Sequence, residues 1–419
     1  MRTAVFNYLF AKKHGGKFIL RIEDTDRERS KKEYEQNIID TLEWLDFKHD
    51  AFYRQSDHTE RYSQAMSEML AKDLIYISKE TPTEEGQRSE VVRFRNPNKP
   101  LSFTDVIRGT ITIDTTDLGD FIIGRSITEP LYHFGVVVDD FDEGVTHVIR
   151  GEDHIPNTPR QLLILEALGG TAPIYAHLPL VLGTDKTKLS KRKGAKAITQ
   201  YRDEGFLPEA MINYLALLGW HPEGEQEIFT LDELVAAFTL ERIQKSAGVF
   251  DEVKLRWFNH EHLKQLSNEV FMAGLITHAK EETLPTYTES IISLLRERSQ
   301  TFGDAVEALR NGEFSFLSGE VACTSELVLQ GAKAEAPAVK ENLQKVAELL
   351  QPLTAGDFTA ESTKEIIFPY ATEVGRASVL WPLRVALSGK EKSPDPFTLM
   401  GLVGKEKTLE RIAKATEVL

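Results

Sequence analysis

The sequence predicts an α/β front half followed by an all-α back half. Three observations carry this. Short apolar runs of strand type recur through the first 180 or so residues. Several of these runs end in clusters of charged residues, where an open α/β sheet places its ligand. After residue 206 the strand-type runs stop and helical periodicity takes over.

In order, residues 2–14 read as a helix, with Val5, Phe6, Leu9 and Phe10 on one broad face and Gly15-Gly16 as its stop. Residues 17–22 read as a short buried strand, and Glu23-Asp-Thr-Asp26 follows it. That acidic group is either a ligand site at a strand end or an N-cap cluster for the next helix, and the two roles can fall on different residues. A helix over residues 30–45 follows, with Ile38, Ile39, Leu42 and Leu45 at helical spacing, and another over residues 59–72. From Ile75 to Ile127 the pattern turns to short β-type runs separated by Gly, Pro and Asn, which reads as an inserted α+β subdomain. Val136-Val-Val138 and Thr146-His-Val-Ile149 read as buried strands, and the second ends in Arg150-Gly-Glu-Asp-His154. Residues 159–168 read as an amphipathic helix, and residues 174–182 lead into a lysine-rich loop. The back half shows helical spacing over residues 208–218, 231–238, 259–266, 290–295, 336–350 and 407–418. Pro352, Pro369, Pro382, Pro394 and Pro396 punctuate the last hundred residues.

Composition sets outer limits. The 419 residues suit two to four domains, and 41% hydrophobic with 27% charged residues is a globular composition. No apolar run approaches a membrane span, and the N-terminus lacks the h-region of a signal peptide. With Cys323 alone, a disulfide within the chain and a cysteine-based zinc site are both excluded. The default compartment is the cytoplasm. A formal net charge of -15 argues against nonspecific coating of nucleic acid, but not against local basic surfaces.

The stretch from Val181 to Lys196 concentrates the cations. It holds Lys186, Lys188, Lys191, Arg192, Lys193 and Lys196, with Asp185 as its one acid. A strand that ends in a Gly-flanked lysine loop can hold a polyphosphate, because ammonium groups neutralise phosphate oxygens. The plain alternative is a solvated basic turn. The order Lys188-Leu-Ser-Lys-Arg192 resembles the Lys-Met-Ser-Lys-Ser signature of class I aminoacyl-tRNA synthetases, in a form typical of glutamyl-tRNA synthetases.

Other blocks resemble bacterial glutamyl-tRNA synthetases, in order and at family spacing. They are Phe6-Asn-Tyr-Leu-Phe10, Phe18-Ile-Leu-Arg-Ile-Glu-Asp-Thr-Asp26, Tyr53-Arg-Gln-Ser56, Val148-Ile-Arg-Gly-Glu-Asp-His154, Asn157-Thr-Pro-Arg160 and the stretch from Tyr201 to Trp220. In the tail, Leu380-Trp-Pro-Leu-Arg-Val-Ala386 and Gly401-Leu-Val-Gly-Lys405 resemble the helical anticodon-binding end. The resemblance implies a Rossmann-like parallel sheet in two parts, residues 1–74 and 129–205. An acceptor-binding insertion (75–128) interrupts it, and helical stem-contact (206–305) and anticodon-binding (306–419) domains follow.

It also implies a chemistry. Glutamate attacks the α-phosphate of ATP, which is bound with Mg²⁺, giving glutamyl-adenylate and pyrophosphate. The glutamyl group of the adenylate then passes to the 3′ end of tRNA(Glu), with no covalent enzyme intermediate. By motif match Lys188, Ser190 and Lys191 serve the phosphates. Glu23 holds the substrate ammonium, and Arg150 with Tyr132 nearby recognises the glutamate. His177 and Leu178 line the adenine site. Three of them have plain alternatives: an ion pair with Glu152 or Asp153 for Arg150, and core packing for Tyr132 and His177. By resemblance the chain is a monomer.

Two departures matter. The family's opening strand, with its Arg, its Pro-Ser-Pro-Thr-Gly turn and a His-Ile-Gly-His-type signature, does not precede Met1. The expectation is a mis-assigned start or an incomplete gene, a sheet short of a central strand, and a chain inactive or badly impaired as written. Second, where many bacterial members carry a cysteine-rich zinc motif, this sequence reads Tyr76-Ile-Ser-Lys79, so no zinc is expected. The rival readings are a glutaminyl enzyme, an enzyme charging both tRNA(Glu) and tRNA(Gln), and a non-catalytic tRNA-binding paralogue. The first normally ends in β-barrels, against the helical residues 300–419. The third fits the departure at Met1 but leaves the lysine loop and Glu23 unexplained. A Gly-rich phosphate loop ending Gly-Lys-Ser/Thr, the mark of a generic ATPase, is not found.

Overall fold

The computed structural model describes residues 1–25, 30–80, 89–189, 196–280 and 282–419. The chain packs as two units, Met1–His262 and Leu263–Leu419. Residues 206–305, expected as one helical domain, therefore fall partly in each.

In the first unit, α1 (Arg2–Lys13) buries Val5, Phe6 and Leu9 completely, the face its spacing predicts. β1 (Ile19–Ile22) and β2 (Ala51–Arg54) flank α2 (Lys32–Trp44) and pair in parallel from Ile19↔Ala51 to Ile22↔Arg54. This is one β-α-β unit. α3 (Thr59–Ala71) leads into the insertion. There β3 (Ile75–Lys79), β4 (Glu90–Phe94), β5 (Pro100–Asp105), β6 (Gly109–Asp114), β7 (Phe121–Ser126) and β8 (Glu129–Pro130) follow in turn. β3, β4, β7 and β8 form an antiparallel sheet of their own. The β5–β6 hairpin does not join it.

After the insertion come α4 (Tyr132–Asp142), β9 (His147–Gly151), α5 (Thr158–Ala167), β10 (Ile174–Leu178) and the short β11 (Val181–Leu182). β9 and β10 pair in parallel over five residues, and β5 adds to the other side of β10, giving the order β6-β5-β10-β9. The hairpin, drawn from inside the expected insertion, thus becomes the edge of the parallel sheet. Among the described residues no ladder joins β1 to β9, and the β1–β2 pair stands as a separate sheet.

Val136-Val-Val138 is a correction. These residues lie in α4, with all three valines buried. A helix covered on every side shows the same unbroken apolar run as a buried strand, and periodicity cannot separate the two. Here the helix packs against the insertion sheet and α5, in one core with Ile123, Phe134 and Ile164.

The first unit closes with α6 (Ile198–Asp203), α7 (Pro208–Leu217), α8 (Leu231–Ala237) and β12 (Gly248–Val249), which pairs with β11; α9 (Glu252–Gln265) carries the chain onward. The fully buried Trp220, Phe238 and Phe258 share a core with α1 and the face of β10 that carries Ala176 and Leu178.

The second unit is helical: α10 (Asn268–Ala279), α11 (Ile292–Arg298), α12 (Phe302–Arg310), α13 (Ser325–Gln330), α14 (Ala336–Leu350), α15 (Ala360–Val374), α16 (Arg376–Ser388), α17 (Pro396–Val403) and α18 (Lys405–Glu417). Val339, Leu343, Val346 and Leu350 form the inner stripe of α14 at spacings of three and four. Pro396 starts α17 behind the Asp395 cap, as its rank as a helix-initiating residue predicts. Pro369 and Pro382, read as punctuation, lie inside α15 and α16 instead. Tertiary packing of Ile367, Ala371, Val379 and Leu383, all fully buried, sustains those helices through the lost backbone bonds. No helix of the described residues is long and apolar enough to cross a membrane.

Candidate active site

The polar clusters predicted at strand ends gather in the first unit. At the end of β1, Asp24 accepts bonds from the Ser56 N–H (2.9 Å) and hydroxyl (2.7 Å), which ties the ends of β1 and β2 together. It is therefore structural, while Glu23 turns away to the partly exposed side and pairs with Arg21 at 3.2 Å. Arg21 itself is held at 2.7 Å by Asp140 of α4. Burial is the largest influence and works against its charge, but Asp140, Tyr53 and Glu23 together outweigh it and keep the guanidinium firmly ionised. Asp26, the last of the four polar residues, lies outside the described residues.

α4 starts at Tyr132, whose hydroxyl is 3.5 Å from Nδ1 of His154. Burial raises the Tyr132 pKa, Glu23 adds to this, and Arg150 opposes it, so both predicted substrate residues act on this hydroxyl. Glu23, Tyr132 and Arg150 are thus brought into one electrostatic neighbourhood from three separate elements.

Arg150 ends β9. Its Nε donates to Nε2 of His177 (3.2 Å) and its Nη2 to the Thr158 hydroxyl (2.8 Å). The guanidinium carbon lies 5.6 Å from the Tyr175 ring centre. Burial lowers the Arg150 pKa against these favourable neighbours. The ion pairs suggested for Arg150 go elsewhere: Glu152 takes Arg108 at 2.6 Å, and Asp153 takes Lys188 at 2.9 Å. Arg150 is left facing a cavity of about 390 Å³, lined also by Asp140, Gln161 and Tyr175. Gln161 is 4% exposed, and its Nε2 has no hydrogen-bond partner among the described residues.

A larger cavity, about 770 Å³, lies between the first turn of α1 (Met1 to Thr3), α2 and the base of the lysine loop. Thr184, Thr187, Lys188 and Lys196 line it. The first turn of α1 has no side-chain cap, so its N–H groups suit an anion. The Lys188 bond pulls Asp153 below the usual carboxylate range, against a smaller effect of burial. Lys196 bonds to Glu204 and Glu252. Ser190 and Lys191 lie outside the described residues.

His177 and Leu178 are both 0% exposed and line neither cavity. Leu178 points into the α1 core. His177 points to the other face of β10, where it bonds to Asp105 as well as to Arg150. Sequence reasoning missed Asp105 and Thr158. The signal for Asp105 was an acid closing a β-type run just before a turn.

These elements define a class I aminoacyl-tRNA synthetase catalytic fold. Residues 1–90 and 82–257 match the family "tRNA synthetases class I (E and Q), catalytic domain", and residues 240–416 match "Anticodon binding domain". The glutamate–tRNA ligase of Heliobacterium modesticaldum is 35% identical, over 100% of this chain and 93% of its own length. A crystal structure of a glutamate tRNA ligase from Elizabethkingia meningosepticum, in complex with its amino acid, superposes with a TM-score of 0.82. It is 32% identical and covers 100% of this chain and 96% of that one. The glutamate–tRNA synthetase of Elizabethkingia anophelis gives 0.80 at 31% identity, covering 99% and 96%. The chain belongs to the glutamate–tRNA ligase family of class I synthetases.

Proposed function

We infer that Glu23, Tyr132 and Arg150 bind the glutamate, and that the cavity between α1 and the lysine loop takes the ATP with its Mg²⁺. The reaction is ATP-dependent ligation of glutamate to tRNA in translation, the activity of the family. What supports the assignment is the convergence of a carboxylate, a phenol and a guanidinium on one neighbourhood, with the Lys188–Asp153 pair tying the lysine loop to the chain three residues beyond Arg150. A carboxylate suits an ammonium, and a guanidinium suits a carboxylate through paired bonds. Gln161 offers a further N–H beside Arg150.

The catalytic contribution is placement and charge neutralisation. The glutamate carboxylate is held in line with the α-phosphate. Charge building on the pyrophosphate is met by the N–H groups of the first turn of α1, by Lys188, and by Ser190 and Lys191 of the same loop. The chain acts as a monomer in the cytoplasm, with tRNA(Glu) as its acceptor. The alternative, a dual enzyme that also charges tRNA(Gln), turns on discrimination of the anticodon. The test is Glu23→Gln, which removes the charge and keeps the shape. It is expected to weaken glutamate on the order of tenfold while ATP binds as before. Unchanged glutamate affinity would remove Glu23 from the site.

A further inference from the structure

The hairpin that leaves the insertion reaches the glutamate site through a buried row of side chains. β5, β10 and β9 are neighbours, with Tyr175 opposite Asp105 and His177 opposite Arg150. Asp105 is 1% exposed and His177 0%. Asp105 Oδ2 accepts from the His177 backbone N–H (2.9 Å) and from Nδ1 (2.7 Å), and Oδ1 accepts from the N–H groups of Ile107 (2.9 Å) and Arg108 (2.7 Å). Burial by itself would raise the Asp105 pKa, but the bonds from His177 and the turn hold the carboxyl below its usual range. An ionised carboxylate only accepts, so Nδ1 carries the proton. Nε2 then presents a lone pair, and the Nε–H of Arg150 donates to it at 3.2 Å. The fully buried Thr158 completes the setting, taking Nη2 of Arg150 at 2.8 Å.

Burying an acid and an imidazole costs stability that an apolar pair would not. His177 packs beside Tyr175 and Phe103, ring centres 5.7 and 6.3 Å away, a place that an apolar side chain would also fill, and the opposite face of β10 carries Ala176 and Leu178. What the pair does is remove freedom from Arg150. A guanidinium anchored at Nε and Nη2 has one orientation left, and a carboxylate receives paired bonds only from a fixed fork.

We propose that Asp105 and His177 are positioning residues for glutamate: Asp105 sets the tautomer of His177, and His177 fixes the guanidinium of Arg150 for the substrate. The proposal rests on the reading of Arg150 as a glutamate contact. It makes the hairpin of the insertion part of the amino-acid specificity of the enzyme.

Calorimetry on the full chain tests it, with L-glutamate and ATP–Mg²⁺ titrated separately into the parent, Arg150→Lys, His177→Leu, Asp105→Asn and the Arg150→Lys/His177→Leu pair. Each single variant is expected to weaken glutamate on the order of tenfold and to leave ATP within about twofold. The pair is expected to bind glutamate no worse than Arg150→Lys alone, because both act through one guanidinium. His177→Gln, which keeps an amide donor and acceptor, is expected to recover part of the affinity lost in His177→Leu. Loss with Arg150→Lys but parental affinity in both His177→Leu and Asp105→Asn overturns the row and leaves the Arg150 reading standing. Parental affinity in Arg150→Lys overturns that reading and the proposal with it. Glutamate and ATP weakened alike, or no recovery with His177→Gln, makes the pair structural only and also overturns the proposal.

Discussion

Tyr62→Phe offers a test of the buried network behind the site. Tyr62 and Asp139 are 0% and 3% exposed. Asp139 Oδ1 accepts from the Tyr62 hydroxyl at 2.8 Å, while Oδ2 takes Gln55 Nε2 at 2.7 Å and lies 3.8 Å from Arg21 Nε. The network therefore docks α3, α4 and the turn that follows β2 around Arg21, whose other partners are Asp140 and Glu23. Substituting Phe keeps the ring packing and deletes one bond to a buried carboxylate. Among the described residues Oδ1 is then left without a donor. A bond to a charged group contributes about 1.5–3 kcal/mol, so the expected loss is about 2 kcal/mol. For a unit of this size that corresponds to a fall of roughly 4–8 °C in Tm. Urea titration of parent and variant, read at unchanged slope, gives the difference directly. The Tyr62 pKa is raised by burial first and by Asp139 second, so the phenol stays protonated throughout and the measurement is insensitive to buffer near neutrality. A loss below about 0.5 kcal/mol would mean that Asp139 finds another donor and that the network is not cooperative.

Three other outcomes follow from the same reading. Lys188→Ala and Lys191→Ala are each expected to cut the rate of adenylate formation on the order of a hundredfold with glutamate affinity unchanged, and an unchanged single-turnover rate would remove the loop from phosphate chemistry. His133 is pushed down to about 4, by burial first and then by Arg160, Arg150 and His154. The unfolded chain therefore binds the extra proton between about pH 6.5 and 4, and stability present above that window is lost as pH falls through it, by up to about 3 kcal/mol. His133→Phe should flatten that part of the pH–stability curve, and an unaltered curve would refute the assignment. Elemental analysis of purified protein should find zinc well below one atom per chain, as the cysteine-free stretch at Tyr76 predicts, and a stoichiometric amount would contradict it.

Much of the architecture was legible because strand ends and charged clusters coincide in the sequence. β1 before Glu23, β9 before Glu152 and β11 before the lysine loop were placed by apolar runs followed by charge. Helix faces such as Val339 to Leu350 followed from spacing alone. Non-local pairing was not legible. Nothing near residues 100–114 says that β5 will lie beside β10, because a hairpin's outer partner is set by long-range packing. For the same reason Asp105, His177 and Arg150 read as unrelated residues until the register of three strands aligned them. The role of Glu152 and Asp153 was open in the sequence because both sit within three residues of Arg150. The structure assigns them to Arg108 and Lys188.

The most direct test of the central claim is charging itself. Enzyme in excess over tRNA, with ATP–Mg²⁺ and radiolabelled glutamate or glutamine in parallel, registers even a slow transfer in a single turnover. Label from glutamate is expected on the 3′ end of tRNA(Glu), released by mild alkali as an ester is, and none from glutamine. Label from glutamine, or glutamate transfer that survives loss of both Glu23 and Arg150, would contradict it.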